Sequence, residues 1–93
     1  MERYPVKTKD VAHRVLGGEA IVVNFNNSFF YNLNKVGAFI WEHCDGKHTL
    51  NQIAASLADK YDVEPAEAAR DCLKFIEELV EQGLLEWQAS AER

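Results

Sequence analysis

The sequence lacks the features that mark several classes of protein. Its 93 residues contain no run of Lys and Arg, and the formal net charge is −5, so the electrostatic footprint of nucleic-acid binding is missing. No apolar stretch approaches the ~20 residues that a membrane-spanning helix needs. Residues 1–10 have no apolar segment of the kind found in secretory signals. These absences predict a cytoplasmic protein that binds neither nucleic acid nor membrane.

Glycine-rich phosphate loops are also missing, and cysteine is scarce, with only Cys44 and Cys72. Without an export signal these two thiols are expected to stay reduced. The segment IWEHCDGKH, residues 40–48, nevertheless collects the residue types of metal sites and of nucleophilic catalysis. A zinc site usually takes its ligands in two close pairs, and Cys44 with His48 is the one loosely suitable pair. We therefore expect no metal, no cofactor and no catalytic residue, and interpret the segment as a helix end followed by a turn.

Length and composition predict one small globular domain. Hydrophobic residues make up 47% of the chain, which is too many for a disordered segment. A domain of this size buries only about 60–65% of the surface that its unfolded chain exposes, so little interior is left for a deep active-site pocket. We expect the chain not to be an enzyme and to act through its surface.

Apolar patterning predicts three strands in the N-terminal half. VAHRVL (11–16), EAIVVNF (19–25) and FFYNL (29–33) are separated by the turn sequences GG and NNS. Strands joined by tight turns form an antiparallel meander, in which the third strand is an edge. Before them, residues 1–9 are polar and contain a proline, which predicts a flexible lead-in.

The period of the apolar residues becomes helical after Asn34. Asn34 is a good N-cap for a first helix, and Thr49 with Gln52 forms a capping box for a second. Pro65 suits the first position of a third helix, which Gly83 ends, and LLEW then forms a short extended segment that docks on the sheet or the helices. The order predicts an α+β domain, a three-stranded antiparallel N-terminal sheet followed by three helices, which resembles a winged helix-turn-helix.

The third predicted helix has an apolar arc wider than the stripe of about 100° that seats a helix on its core. One side of this helix is therefore expected to offer a partly exposed apolar strip to a partner. The preferred margin consists of Asp71, Lys74, Phe75 and Glu78. The alternative is the opposite margin, with Arg70 and Glu77 beside Leu73, and spacing alone does not decide between them.

The ordered motifs of the chain resemble those of a known family. They are YNLN, GAFIW, CDG, TLNQIAASLADKY and DCLKFIEELVEQGLL. In this order they resemble the PqqD-like family, small peptide-binding domains that are also called recognition elements of ribosomally synthesized and post-translationally modified peptides (RiPPs). The similarity covers residues 10–87, which are expected to form a single domain between the lead-in and a flexible tail at 88–93.

The resemblance implies a winged helix-turn-helix-like fold and a function. Such domains bind the leader part of a precursor peptide and present it to a modifying enzyme, often a radical SAM protein, in the pathway to the quinone cofactor PQQ or in related pathways. The leader adds as a strand to the edge of the third strand, beside the third helix. The expected peptide-binding residues are Phe29, Phe30, Tyr31, Asn32, Leu33, Asp71, Lys74, Phe75 and Glu78.

The residues of the third strand support this interpretation independently. FFYNL carries none of the Lys or Pro residues that usually blunt a free sheet edge, and such an edge is a template for an added strand. Because side chains alternate between the two faces, at most half of the aromatic residues can contact a ligand while the others enter the core.

Two other functions stay open from the sequence. A winged helix can bind DNA, but residues 64–82 carry Arg70 and Lys74 against six carboxylates, which would repel phosphates. A plain interaction module is the other alternative, since edge-to-edge pairing of the third strand would make a natural dimer. The sequence leaves open whether the protein is a monomer or a homodimer.

Overall fold

The computed structural model describes residues 3–90, and residues 1–2 and 91–93, at the ends of the expected lead-in and tail, lie outside the described part. Within residues 3–90 the elements are β1 (Tyr4–Lys7), β2 (Val11–Leu16), β3 (Glu19–Asn24), β4 (Phe29–Leu33), α1 (Lys35–Glu42), α2 (Leu50–Tyr61), α3 (Pro65–Glu81) and β5 (Leu85–Gln88). No helix in this part of the chain is long and apolar enough to cross a membrane.

Strands β2, β3 and β4 form an antiparallel sheet in that order. β3 ends at Asn24 instead of the predicted Phe25. The reason is local, because the Asn24 side chain accepts a hydrogen bond from the Asn26 N–H at 2.9 Å and starts the turn toward β4. The predicted three-stranded antiparallel sheet followed by three helices is confirmed, and β4 is an edge of this sheet.

Capping signals determine where the three helices begin. Asn34 Oδ1 accepts a hydrogen bond from the Gly37 N–H at 2.9 Å, at the start of α1. At the start of α2 the Gln52 N–H donates to Thr49 Oγ1 at 3.1 Å, and the Thr49 N–H donates to Gln52 Oε1 at 2.8 Å. Pro65 occupies the first position of α3. All three helices therefore begin where the sequence predicts.

The core lies between the helices and one face of the three-stranded sheet. Its largest fully buried side chains include Val22, Ile40, Trp41, Ile53, Ile76 and Leu84. Helix α3 is seated by a narrow stripe, Ala68, Cys72, Ile76 and Leu79, that recurs at helical spacing. Phe75 and Val80, at the edges of this stripe, are only partly buried. The wide apolar arc of α3 is therefore not completely covered by the domain itself.

The N-terminal segment differs from the expected flexible lead-in. Residues 4–7 form β1, which pairs antiparallel with β5 in a second, two-stranded sheet. Pro5 is buried, and its carbonyl accepts a hydrogen bond from the Gly46 N–H at 2.9 Å. Because both backbone groups of a residue in an antiparallel strand point to one side, the missing N–H of Pro5 faces Gly46 and costs no hydrogen bond to β5. The predicted extended segment after Gly83 is this β5, which also includes Gln88 of the expected tail.

Candidate functional site

Strand β4 has a neighbour on one side only, since β3 lies between it and β2. In an antiparallel strand, alternate residues direct their N–H and C=O groups to opposite sides. Alternate residues of β4 therefore direct theirs away from β3, and no other strand in residues 3–90 pairs with them. This row of unpaired backbone groups is a template for an added strand.

The side chains of β4 alternate between the two faces of the sheet. Tyr31 and Leu33 pair with the buried β3 residues Val22 and Ala20, so they lie on the face that packs on the helices. Phe30, 71% exposed, and Asn32 lie on the opposite face. Phe29, the first residue of the strand, shares the face of Tyr31 but is 59% exposed. The core thus takes Leu33 and part of Tyr31, as alternation predicts.

Helix α3 lies across from the free edge of β4 and turns one margin toward it. Asp71, Phe75, Glu78 and Gln82 follow one another at spacings of four, three and four residues, so they share one side of the helix. The Tyr31 hydroxyl donates a hydrogen bond to Gln82 Oε1 at 2.8 Å and joins β4 to this side. The margin that faces β4 is therefore the one with Asp71, Phe75 and Glu78.

One cavity of about 280 Å³ lies between the C-terminal end of β4, the start of α1 and the middle of α3. Its walls are formed by Asn32, Leu33, Asn34, Val36, Gly37, Ile40, Asp71 and Phe75. Gly37 shapes this cavity, because a Cβ atom at its position would lie 3.1 Å from Cε1 of the Phe75 ring. The absence of a side chain at Gly37 thus lets the ring pack against α1. We call this space the Phe75 cavity.

A second cavity of about 350 Å³ lies between Tyr31, the middle residue of β4, and the last turns of α3. It is lined by Tyr31, Glu78, Leu79, Glu81 and Gln82. We call it the Gln82 cavity, and we call the free edge of β4 together with both cavities the β4–α3 groove. Both cavities lie along the same strand, so an extended chain paired with β4 would pass over them.

Six of the nine residues predicted from the sequence line this groove: Tyr31, Asn32, Leu33, Asp71, Phe75 and Glu78. Phe29 and Phe30 are exposed beside it, and the exposed Lys74 lines neither cavity. Their role in binding stays a prediction. Arg70, Leu73 and Glu77, on the alternative margin, line neither cavity either.

Sequence reasoning missed the contribution of α1 and the end of α3. The Phe75 cavity is also lined by Val36, Gly37 and Ile40, because the chain turns directly from β4 into α1. Glu81 and Gln82 line the Gln82 cavity. Gln82 was recognisable, since it continues the side of α3 that carries Phe75 and Glu78, whereas nothing in the local sequence places α1 beside α3.

The segment 40–48 forms a helix end and a turn, as interpreted from the sequence. Cys44 is fully buried and its thiol donates to the Ile40 carbonyl at 3.2 Å, and burial raises its pKa to about 12. His48 lies 3.0 Å from Asp45, and His43 lies 2.8 Å from the Phe39 carbonyl. No three His, Cys, Asp or Glu side chains within residues 3–90 are placed to hold a metal ion. These reactive residue types thus serve packing and the turn.

Comparison with known proteins gives both a family and related structures. A family model described as PqqD, coenzyme PQQ synthesis protein D, matches residues 19–85. The structure of TbiB1 in complex with the TbiA(β) leader peptide matches with a TM-score of 0.81 at 23% identity, over 94% of this chain and 99% of that chain. The structure of lasso peptide synthetase B1 complexed with the leader peptide matches with a TM-score of 0.80 at 20% identity, over 88% of this chain and 96% of that chain.

A third solved structure is a PqqD protein itself. It is the PqqD truncation of Methylobacterium extorquens PqqCD, described as a functional, stand-alone RiPP recognition element, with a TM-score of 0.72 at 24% identity over 88% of this chain and 87% of that chain. Among curated proteins, none matches the chain significantly. The structural matches show a shared fold, and the family model covers more than half of the sequence. This chain therefore belongs to the PqqD family.

Proposed function

We propose that this protein is a non-enzymatic adaptor that binds the leader of a ribosomally made precursor peptide and presents it to a modifying enzyme. The observation that carries the proposal is the free edge of β4, which faces the Phe75 margin of α3 across two cavities. Membership of the PqqD family and the leader peptides bound in two structural relatives support the same function.

The binding mechanism is addition of a strand. An extended leader segment pairs its backbone with the outward-facing N–H and C=O groups of β4, which supplies affinity with little dependence on sequence. Side chains on one face of the leader enter the Phe75 and Gln82 cavities, which supplies specificity. Because the two cavities open over one strand, both are filled by residues of a single short segment.

Chemistry is left to the partner, which we take to be a peptide-modifying enzyme of the radical SAM type, as the family resemblance implies. The two thiols of this chain are poor nucleophiles. Burial raises the pKa of Cys44 to about 12 and that of Cys72 to about 11, so both stay protonated at neutral pH. Both cysteines are free and buried, which suits the cytoplasm as the site of action.

The test uses a synthetic leader from a short open reading frame adjacent to this gene, titrated into ¹⁵N-labelled protein. We expect amide shifts concentrated in residues 29–33 and in the Asp71 to Gln82 side of α3. Shifts elsewhere, or no binding at high micromolar peptide, would contradict the proposal.

A second measurement separates strand addition from binding by side chains alone. Leader peptides carrying one backbone N-methyl group at successive positions lose a single donor each, which at an interface is worth about a tenfold loss of affinity. Strand addition predicts losses at alternate positions, because alternate residues of the leader face β4. A uniform response, or none, would rule out pairing with this edge.

A further inference from the structure

The walls of the β4–α3 groove differ in charge. β4 contributes no charged side chain, because its sequence is FFYNL. α3 contributes three carboxylates that line the cavities, Asp71 at the Phe75 cavity and Glu78 and Glu81 at the Gln82 cavity. We call these three residues the acidic rim.

The carboxylates of the acidic rim are not neutralised by the domain. Within residues 3–90 the one ion pair is that between His48 and Asp45, in the turn after α1. The cation nearest in sequence, Lys74, is exposed and lines neither cavity. These negative charges are therefore available to a cationic ligand in the groove.

The end of α3 adds to the negative potential at the Gln82 cavity. The helix ends at Glu81, and its last turn contains no basic residue. The carbonyl end of a helix carries a partial negative charge, and here it lies beside Glu78 and Glu81. The Gln82 cavity is accordingly lined by two carboxylates beside a helix end, whereas the Phe75 cavity is lined by one carboxylate.

We infer that the groove selects leader segments that carry Lys or Arg on the side facing α3, with the strongest preference at the Gln82 cavity. This deepens the proposed function and rests on it. Backbone pairing and apolar contacts provide binding, while the acidic rim discriminates among leaders by their charge. Because all three carboxylates are exposed, each is expected to change affinity only about two- to fivefold, and salt weakens the effect.

The probe for this inference is a phage-displayed library of random 16-residue peptides, selected against the full chain. Peptides selected by the wild type are expected to be enriched in Lys and Arg at alternate positions. The triple variant Asp71→Asn, Glu78→Gln, Glu81→Gln removes the rim and should lose this enrichment. It should bind a wild-type-selected peptide about 10- to 100-fold more weakly at low salt.

The matched control changes the same number of charges elsewhere. Asp59→Asn, Glu77→Gln and Glu86→Gln replace exposed carboxylates that line neither cavity, and this variant should keep the selected peptide's affinity within about twofold. Equal losses in both triple variants would overturn the inference, since net charge alone would then explain them.

The outcomes also separate this inference from the proposed function. Selected peptides that shift β4 and α3 amides but are neutral or acidic would overturn the charge preference and leave leader binding supported. Selected peptides that bind elsewhere, or a library that yields none, would count against both. A wild-type affinity that does not fall between 50 and 500 mM salt would likewise overturn the acidic rim as a determinant.

Discussion

β2 and β4 are the two edges of one sheet, and they differ in what lies beyond them. Beyond β4 lies α3, whose Gln82 side chain accepts a hydrogen bond from Tyr31 at 2.8 Å. Beyond β2 no strand pairs within residues 3–90, and five of its six residues are exposed. Either edge can offer backbone hydrogen bonds, but a peptide paired with β4 would also lie beside the Phe75 and Gln82 cavities and the wall formed by α3.

The two edges also differ in how they are protected. β2 carries Arg14 beside the exposed His13, whereas β4 has no charged residue and no proline. Charged side chains on an edge strand discourage pairing with other chains. The candidate site is therefore distinguished by an unprotected edge together with a helix opposite it, and neither feature alone distinguishes it.

The largest expected effect comes from filling the Phe75 cavity with a larger side chain on α1. In Gly37→Leu the new side chain meets the Phe75 ring, which already lies 3.1 Å from an ideal Cβ at this position, and pushes it into the Phe75 cavity. We expect leader affinity to fall more than about 50-fold. Overpacking should cost about 1–3 kcal/mol in the free energy of unfolding, reduced by the helix propensity that replacing glycine gains. Calorimetric titration and urea unfolding measure the two quantities.

The control for this variant is Ala55→Leu, which adds three carbon atoms, against the four of Gly37→Leu, on the exposed face of α2. It should change neither affinity nor stability by a measurable amount. A folded Gly37→Leu protein that binds the leader like the wild type would show that the Phe75 cavity is not used.

A smaller effect is expected from shortening a side chain of α3 that lines the groove. Phe75→Ala removes a partly buried ring that lines the Phe75 cavity and should weaken leader binding about tenfold. The control variant is Phe25→Ala, since Phe25 is 66% exposed in the turn before β4 and lines neither cavity. Equal affinities of these two variants would contradict the assignment of the groove to the Phe75 side of α3.

Much of this fold was predictable because its signals are local. Each signal involves residues that are close together in the sequence. Examples are the Thr49–Gln52 capping box, the Asn34 cap and the alternation in FFYNL. β1 was not predictable, because its short segment is stabilised by β5 from the opposite end of the chain. Pro5 also resembles a loop residue unless the direction of its missing N–H is known.

The candidate site was predictable only in part for the same physical reason. β4 was recognisable as an edge, and the apolar strip of α3 as too wide for the core. Which margin faces β4 depends on how α3 is rotated on the core by Cys72, Ile76 and Leu79. That rotation is set by tertiary packing. Only the structure therefore shows that the margin with Asp71 and Phe75, and not the one with Arg70 and Glu77, faces β4.

A still smaller effect is expected from a substitution that makes the β2 edge resemble the β4 edge. Arg14→Val removes a charge from the β2 edge and extends the exposed apolar surface of Leu16 and Ile21. We expect weak self-association, with a dissociation constant on the order of 0.1–1 mM, measurable by sedimentation velocity, and unchanged leader affinity. Arg14→Lys keeps the charge and should sediment like the wild type. Dimerisation of both variants would show that charge does not protect this edge.

The smallest effect lies outside the groove, in the turn after α1. Burial works against ionisation of Asp45, but hydrogen bonds from the Lys47 N–H and the His48 ring outweigh it, so the pKa of Asp45 is lowered. A lowered pKa means that the carboxylate stabilises the folded state above its unfolded value of about 4 and that this contribution is lost as the pH falls through the lowered pKa. Asp45→Asn should thus unfold more easily than wild type by only a few tenths of a kcal/mol at pH 7, since the group is partly exposed.

The difference in the free energy of unfolding between wild type and Asp45→Asn should disappear as the pH falls through the lowered pKa of Asp45, as urea unfolding at a series of pH values would show. A gap that persists at low pH would mean that the substitution acts through packing and not through charge. Leader affinity should stay unchanged, because Asp45 lines neither cavity. The turn that looks most like an active site in the sequence would then affect stability alone, whereas the proposed binding site lies on the uncharged strand before α1.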